Sequence, residues 1–394
     1  MSMSIAFLCN NFKSLNGVER VWSQKLSLLA ERFNDDIYLI TYNQYGAPLS
    51  FPISGKVKHI DLGTRYISRC SFRGLYQYID RYKSERSFRK ELNRLLEELK
   101  PDIIVCADLH VADLKAVLSS TVKSVRIVEC HCGLSAYFED VKKFSSPLKR
   151  LQERIMKRRL LSAIRRFDRI VVMTEAERTD WNQKDQVVCI PNMLVAFPNI
   201  EPSRELAHKS VISVGRYAYQ KGYDMLLESW RMVQATYPDW TLHIYGSHDG
   251  GVGDYEQLQQ QIEQHHIGNV CLHPQTNDVY SCYVKSDFYV MSSRFESFGL
   301  VLIEAMACGL PLVSFDCKYG PRSIIQDGET GVLVPAGDIS EMAGAICSMI
   351  SNREERQRMA AHAKLASKSY LPENVMSIWH EFYESLVRDS PILP

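Results

Sequence analysis

Two glutamates separated by seven residues, Glu296 and Glu304, lie in a segment that opens on Ser292-Ser-Arg-Phe and closes on Gly309-Leu-Pro311. The run from Gly299 to Cys308 predicts a helix stopped by Gly309 and Pro311. Glu296 then sits in the loop before the helix and Glu304 on its second turn, so both carboxylates can approach one side. The amides of Phe298, Gly299 and Leu300 open the helix, and N–H groups at a helix start attract anions. A carboxylate beside an anion site repels phosphate. The chemistry that suits Glu296 and Glu304 is therefore acceptance of hydrogen bonds from sugar or ribose hydroxyls. The bland alternative is a Glu304 that is merely a paired charge within an apolar helix, because an unpaired one is costly.

A second set begins at Val211-Ile-Ser-Val-Gly215-Arg216 and ends at Lys221-Gly222. A strand ending at Val214 and a glycine turn place two cations five residues apart ahead of a helix. Arg offers a bidentate fork and Lys a point charge, a pair suited to a diphosphate; the alternative is two solvated surface cations. The loop after the first strand, Asn10 to Arg20, carries Gly17 just before a helix start, which lets backbone amides approach a phosphate, although it is not a GxGxxG dinucleotide loop. His131 follows Glu129-Cys130 at a strand end, either facing a ligand or serving as a satisfied core histidine. Asp-x-Asp after a strand, the usual sign of a divalent-ion site, is not convincingly present. No metal and no cofactor are expected, the cations taking the place of an ion.

These residues need elements to hold them. Short apolar runs recur at Ile5–Cys9, Ile37–Tyr42, Ile103–Cys106, Val125–Glu129, Ile170–Met173 and Val187–Ile190. They resume at Val211–Val214, Thr241–Tyr245, Val270–His273, Phe288–Met291, Leu312–Phe315 and Val332–Val334, with helical patterns between them. Strands apolar throughout are buried on both faces, the mark of parallel sheets covered by helices. Twelve such runs suit two Rossmann-like domains of about six strands each, facing across a cleft, with ligand sites at the C-terminal strand ends. The 394 residues agree with two domains. The predicted boundaries are a first domain at 1–195, a linker at 196–207, a second domain at 208–371, and a closing helix at 372–394 that packs back on the first domain.

The chain is 45% apolar and 24% charged with a formal net charge of +1, so a disordered, collagenous or coiled-coil chain is excluded. The balance hides an asymmetry. Residues 1–196 hold 32 Lys and Arg against 22 Asp and Glu, and the rest hold 15 against 24, which implies two units meeting different partners. Eleven scattered cysteines look like reduced thiols of a cytoplasmic protein, not a disulfide framework. No signal peptide and no membrane-spanning run is read. Pro147–Phe167 combines an apolar stripe (Leu148, Leu151, Ile155, Leu160, Leu161, Ile164, Phe167) with eight Lys and Arg. It is either a helix lying on an anionic membrane surface, on the inner face of the cell membrane, or an ordinary core helix with a basic outer face. Nucleic acid is not an expected partner, since no aromatic interleaving or known module supports it.

Taken together, Asn16-Gly17-Val18-Glu19-Arg20, His131, Ile190-Pro191-Asn192, Gly215-Arg216 with Lys221-Gly222, Glu296 through Glu304, and Asp327-Gly-Glu-Thr-Gly331 resemble the glycosyltransferase family 4 enzymes. That group is retaining and has the GT-B fold. The resemblance is loose over residues 1–190 and close over 208–338. It implies donor binding mainly by the second domain and acceptor binding mainly by the first. It implies that Arg216 and Lys221 hold the donor diphosphate, Glu304 accepts from ribose hydroxyls, Glu296 contacts the transferred sugar, His131 approaches that sugar, and Gly17 donates an amide to the distal phosphate. Gly215, Asn192, Phe298, Gly299 and Leu300 complete the binding set. Asn16 stands where the family often has a first glycine. Phe315-Asp-Cys-Lys-Tyr-Gly-Pro321 looks like bacterial polysaccharide-assembly members, many of which use UDP-sugars. The expected function is transfer of a hexose or N-acetylhexosamine from a nucleotide sugar to a lipid-linked or polysaccharide-precursor glycan. The alternatives are a nucleotide-sugar 2-epimerase of the same architecture and a non-catalytic nucleotide-sugar binding protein.

Overall fold

The computed structural model describes residues 2–13, 17–64, 75–107, 111–131, 133, 146–181, 185–198, 208–247 and 254–389. Asn16 and most of the linker, 199–207, lie outside the described residues. The chain divides into two compact units. One comprises Met1–Met173, Glu177–Val195 and Pro372–Pro394; the other comprises Thr174–Ala176 and Ala196–Leu371.

The first unit is built on seven parallel strands: β1 (Ser4–Cys9), β2 (Asp36–Thr41), β3 (Lys58–Asp61), β4 (Ile103–Ala107), β5 (Val125–Glu129), β6 (Arg169–Val172) and β7 (Val187–Cys189). Their order is β3-β2-β1-β4-β5-β6-β7. The second holds β8 (Ser210–Val214), β9 (Thr241–Gly246), β10 (Val270–Pro274), β11 (Phe288–Met291), β12 (Leu312–Asp316) and β13 (Gly331–Pro335), ordered β10-β9-β8-β11-β12-β13 and again parallel. The predicted strand runs all appear, and the expectation of two parallel sheets with helices holds. The first sheet has one strand more than the apolar runs indicate. Strand β3 has the sequence KHID and lies half-exposed at the sheet edge, so its residues carry no apolar run to read.

In each sheet the strand order reverses once, between β1 and β4 and between β8 and β11. The connections leave the sheet in opposite directions at that point, which opens a crevice beyond the strand ends. The loops after β1, β8 and β11 end there, and those loops carry Gly17, Gly215 to Lys221, and Ser292 to Glu296.

The closing helix, Pro372–Arg388, is part of the first unit. Val375, Met376, Trp379, Tyr383 and Leu386 recur at helical spacing and are its buried side. It packs on the helix Gly17–Arg32, where the Lys25 ammonium lies 2.9 Å from the Trp379 ring centroid. Lys25 is 1% exposed and bonds the equally buried Glu129 at 2.5 Å. Trp22 Nε1 donates to the other Glu129 oxygen at 3.0 Å. Burial alone would raise the Glu129 carboxyl, but the Lys25 charge and the bonds from His131 and Lys25 hold it down at about 2. Burial draws Lys25 down to about 8 against the pull of Glu129, so both are charged at neutral pH.

A buried pair is costly to break from one side and cheap to remove whole. Glu129→Gln should lower stability by about 3–5 kcal/mol, and Lys25→Met/Glu129→Gln should recover most of it, as read by urea unfolding. The folded-state carboxyl lies below its ordinary value of about 4.3, so its stabilisation is complete above that pH and is lost as pH falls toward 2. The double variant should lack that acid slope. An unchanged slope would show that Glu129 does not titrate as described.

Candidate functional site

The second unit gathers the predicted cations and one of the two carboxylates at the reversal of its sheet. Val214 ends β8, and the Gly215 amide donates to the Tyr245 carbonyl of β9 at 2.9 Å. A short 3-10 turn, Tyr219–Lys221, follows, and Gly222 then begins the helix Tyr223–Gln234. Gly222 has φ 63°, and a Cβ on it would fall 2.2 Å from the Ser292 carbonyl oxygen after β11. Only glycine fits there, because side-chain-bearing residues resist left-handed backbone and the neighbouring chain occupies the space. This close approach sets Lys221 against the β11 loop. Lys221 Nζ bonds Glu296 Oε1 at 2.5 Å, with the pair 15% and 8% exposed. Ser293 Oγ donates to the same oxygen at 2.8 Å, and Ser292 Oγ donates to the Lys221 carbonyl at 2.8 Å.

Arg294 closes this arrangement. It donates to the Tyr219 carbonyl at 2.8 Å, grips both Asp224 oxygens at 2.8 and 2.6 Å, and lies over the Tyr219 ring. Gln220 donates to the Phe295 carbonyl at 3.0 Å and also meets the Arg216 guanidinium at 3.4 Å. Arg216 is exposed. The two predicted cations thus differ: Lys221 is seated on a carboxylate, while Arg216 reaches solvent.

The helix after Glu296 runs Leu300–Ala307, shorter at each end than predicted. Gly299, at φ 100°, is its cap, and this left-handed turn is why Gly299 precedes the helix instead of joining it. The Phe298 side chain is buried against Tyr370, so any ligand contact from this residue comes from its backbone. Glu304 is buried on the second turn, within 3.5 Å of the Tyr283 hydroxyl, which donates to it. Burial pushes the Cys308 thiol up to about 12, with the Glu304 charge adding. Burial also pushes the Tyr289 phenol well up, and the charges of both Glu296 and Glu304 add to it. One phenol on β11 therefore feels both carboxylates. The contribution of Ser293, Arg294 and Tyr289 was not read from the sequence. Ser293 and Arg294 sit inside the glutamate segment and could have been weighed, whereas Tyr289 in a continuous apolar strand gives no signal.

The remaining predicted residues belong to the first unit. Gly17 is exposed at the start of the helix Gly17–Arg32. Asn192 lies just past β7 and is half-buried. His131 Nε2 is 3.3 Å from Glu129 Oε2, which ties it to the Lys25 pair. Its side chain is therefore held by a carboxylate and is 7% exposed.

The basic segment forms a helix, Pro147–Ile164, with one part of its apolar stripe buried and another exposed. Leu161, Ala163, Ile164 and Phe167 join the core of the first unit. Leu148, Leu151, Ile155 and Met156 are 65%, 55%, 42% and 44% exposed. Beside them Lys115, Arg158, Arg159 and Arg166 line an open hollow of about 600 Å³. Among the described residues, no helix is long and apolar enough to cross a membrane.

The signature of the family described as glycosyl transferases group 1 matches residues 200–366. An uncharacterized glycosyltransferase of Haemophilus influenzae is 32% identical over 297 residues, 74% of this chain and 79% of that one. The chain belongs to the group 1 glycosyl transferases. The amylovoran biosynthesis glycosyltransferase AmsD of Erwinia amylovora is 25% identical across 96% of this chain and 98% of its own. The fold is GT-B: Staphylococcus aureus TarM, solved with fondaparinux, alpha-GlcNAc-glycerol and UDP, superposes with TM-score 0.74 over 98% of this chain and all of that one, at 16% identity.

Gly222→Ala tests the packing that seats Lys221. The added methyl meets backbone, which cannot give way cheaply, in a conformation alanine resists. It should lower stability by more than about 1 kcal/mol in a melting experiment. A neutral effect would mean that the two loops are not held at this distance.

Proposed function

We propose that this glycosyltransferase is a retaining, metal-independent enzyme of family 4. It moves a hexose or N-acetylhexosamine from a UDP-sugar to a lipid-linked or polysaccharide-precursor glycan. The observation that carries this reading is the 2.5 Å contact of Lys221 with Glu296 at the strand-order reversal of the second sheet. Breaking an anomeric C–O bond leaves negative charge on the departing diphosphate and positive character on the sugar ring. A cation and a carboxylate held side by side match those two charges, and being preorganised they do not reorganise as the charges develop. With donor bound, Lys221 turns from Glu296 to the diphosphate, Arg216 adds its fork from the solvent side, and the amides of Phe298, Gly299 and Leu300 face the same anion. Glu296 then accepts from the sugar hydroxyls and Glu304 from the ribose. Arg216 and Lys221 do what a divalent ion does in other sugar transferases. UDP and an N-acetylhexosamine are supported by the ligands named with TarM, and a polysaccharide acceptor by the name of AmsD. The acceptor is assigned to the first unit; Gly17, Asn192 and His131, which belong to the same unit, keep the roles the resemblance implies.

A thermal-shift screen over UDP-, GDP- and ADP-sugars reads the donor, since a ligand of the folded state raises its melting point. UDP-sugars should give the largest shift. Lys221→Ala and Glu296→Gln should each cut transfer by about 10²–10³-fold. Because the two are paired, Lys221→Met/Glu296→Gln should melt close to the parent while remaining inactive; recovered activity would make the pair structural. Glu304→Ala should weaken UDP binding itself. A sugar product formed from donor without any acceptor would favour the epimerase.

The exposed apolar residues beside a basic hollow support a further part of the proposal: the helix Pro147–Ile164 seats the enzyme on an anionic membrane surface. Flotation with phosphatidylglycerol-containing vesicles should show salt-sensitive binding, lost in Leu151→Glu/Ile155→Glu. Equal flotation of parent and variant would leave this helix with a packing role alone.

A further inference from the structure

We infer that His243, Cys271 and His273 form a binding site for a zinc-class divalent cation on the outer two strands of the second sheet. The site is separate from the Lys221–Glu296 pair and does not depend on the function proposed above.

The sheet register brings the three residues together. Cys271 on β10 pairs with His243 on β9, and His273 pairs with Tyr245. Partners in a parallel sheet point to the same face, so all four side chains share one side. The other side is filled: Leu242 and Ile244 are fully buried in the core of the unit. His243 Nδ1 and His273 Nε2 stand 3.0 Å apart, and the two nitrogens and the cysteine sulfur all lie within 4.8 Å of one another. Tyr245 stacks on His273 with centroids 4.3 Å apart and planes 10° apart, which fixes that ring.

Two imidazole nitrogens and a thiolate are the ligands zinc prefers, at about 2.0–2.1 Å for nitrogen and about 2.3 Å for sulfur. Tetrahedral bonds of that length put two nitrogens roughly 3.3 Å apart. The two nitrogens need to open by a few tenths of an ångström, and the sulfur, which lies within 4.8 Å of them, closes to roughly 3.6 Å. On binding, each ring keeps its single proton on the nitrogen turned away from the ion. The Cys271 S–H bond breaks, an S–Zn bond forms, and one proton goes to solvent. All three ligands are half-buried, so the ion can enter from solvent, and water fills the fourth position.

A bound ion cross-links the edge strand β10 to β9. The Tyr217 hydroxyl lies 2.9 Å from the Ile244 carbonyl and 2.7 Å from the His273 carbonyl, and it joins that cross-link to the residue following Arg216. The ion therefore stiffens the side of the unit that carries Arg216, with no role in bond breaking.

The test is zinc titration of the metal-stripped full chain against a chromophoric chelator. His243→Ala/Cys271→Ser/His273→Ala sets the background from the other cysteines. The parent should take up one equivalent beyond the triple variant. Cys271→Ser and His273→Gln should each weaken that site at least tenfold while melting like the parent without metal. Cobalt in place of zinc should give a thiolate charge-transfer band that Cys271→Ser abolishes. Uptake by the parent no greater than by the triple variant, or a cobalt spectrum unchanged by Cys271→Ser, overturns the proposal. Should the triple variant not fold, the single variants and the cobalt spectrum decide the question alone.

Discussion

Lys221 and Glu296 come from loops 75 residues apart, after two different strands, and meet at 2.5 Å. Neither loop holds this geometry by itself. Strands β8 and β11 must be neighbours, the loops that follow them must come within backbone contact, and Gly222 must leave room for the Ser292 carbonyl. Arg294 fastens the turn that carries Lys221, and Ser293 orients the carboxylate. The parallel sheet, the reversal in strand order and the left-handed glycine all bear on this one contact. It matters because a cation and a carboxylate held ready at the exit of a sheet can meet opposite charges that appear together on a reacting molecule.

The first unit treats charge in a related but more secluded way. Glu129 closes β5, and the helix that follows β1 brings Lys25 and Trp22 to it. The closing helix then lays Trp379 on the ammonium and removes the pair from water. This burial requires full pairing, since a lone charge in that position would be expensive. His131 leans on the same carboxylate. The last seventeen-residue helix therefore belongs to the fold of the first unit although its sequence follows the second.

Parts of this architecture were open to inspection in the sequence because their signals are local. Continuous apolar runs marked strands buried on both faces, and Gly215 and Gly309 marked where a strand and a helix stop. The edge strand β3 escaped because an edge can be polar, and KHID has no apolar period to detect. The basic helix Pro147–Ile164 could not be settled as packing or exposed, because one stripe of leucines and isoleucines serves either purpose. The structure divides it, with Leu161 and Ile164 buried and Leu148 and Leu151 exposed.

The sequence by itself determined the fold class and the positions of the charged loops. Each of these rests on spacing within a dozen residues, where periodicity and turn chemistry speak directly. Tertiary structure alone decided which charges touch. Glu296 pairs with Lys221 while Arg216 reaches solvent, and His243 meets Cys271 and His273 across a register no local pattern encodes. Contacts between distant residues depend on strand order and on which face each strand turns inward, and these follow from the packing of the whole sheet.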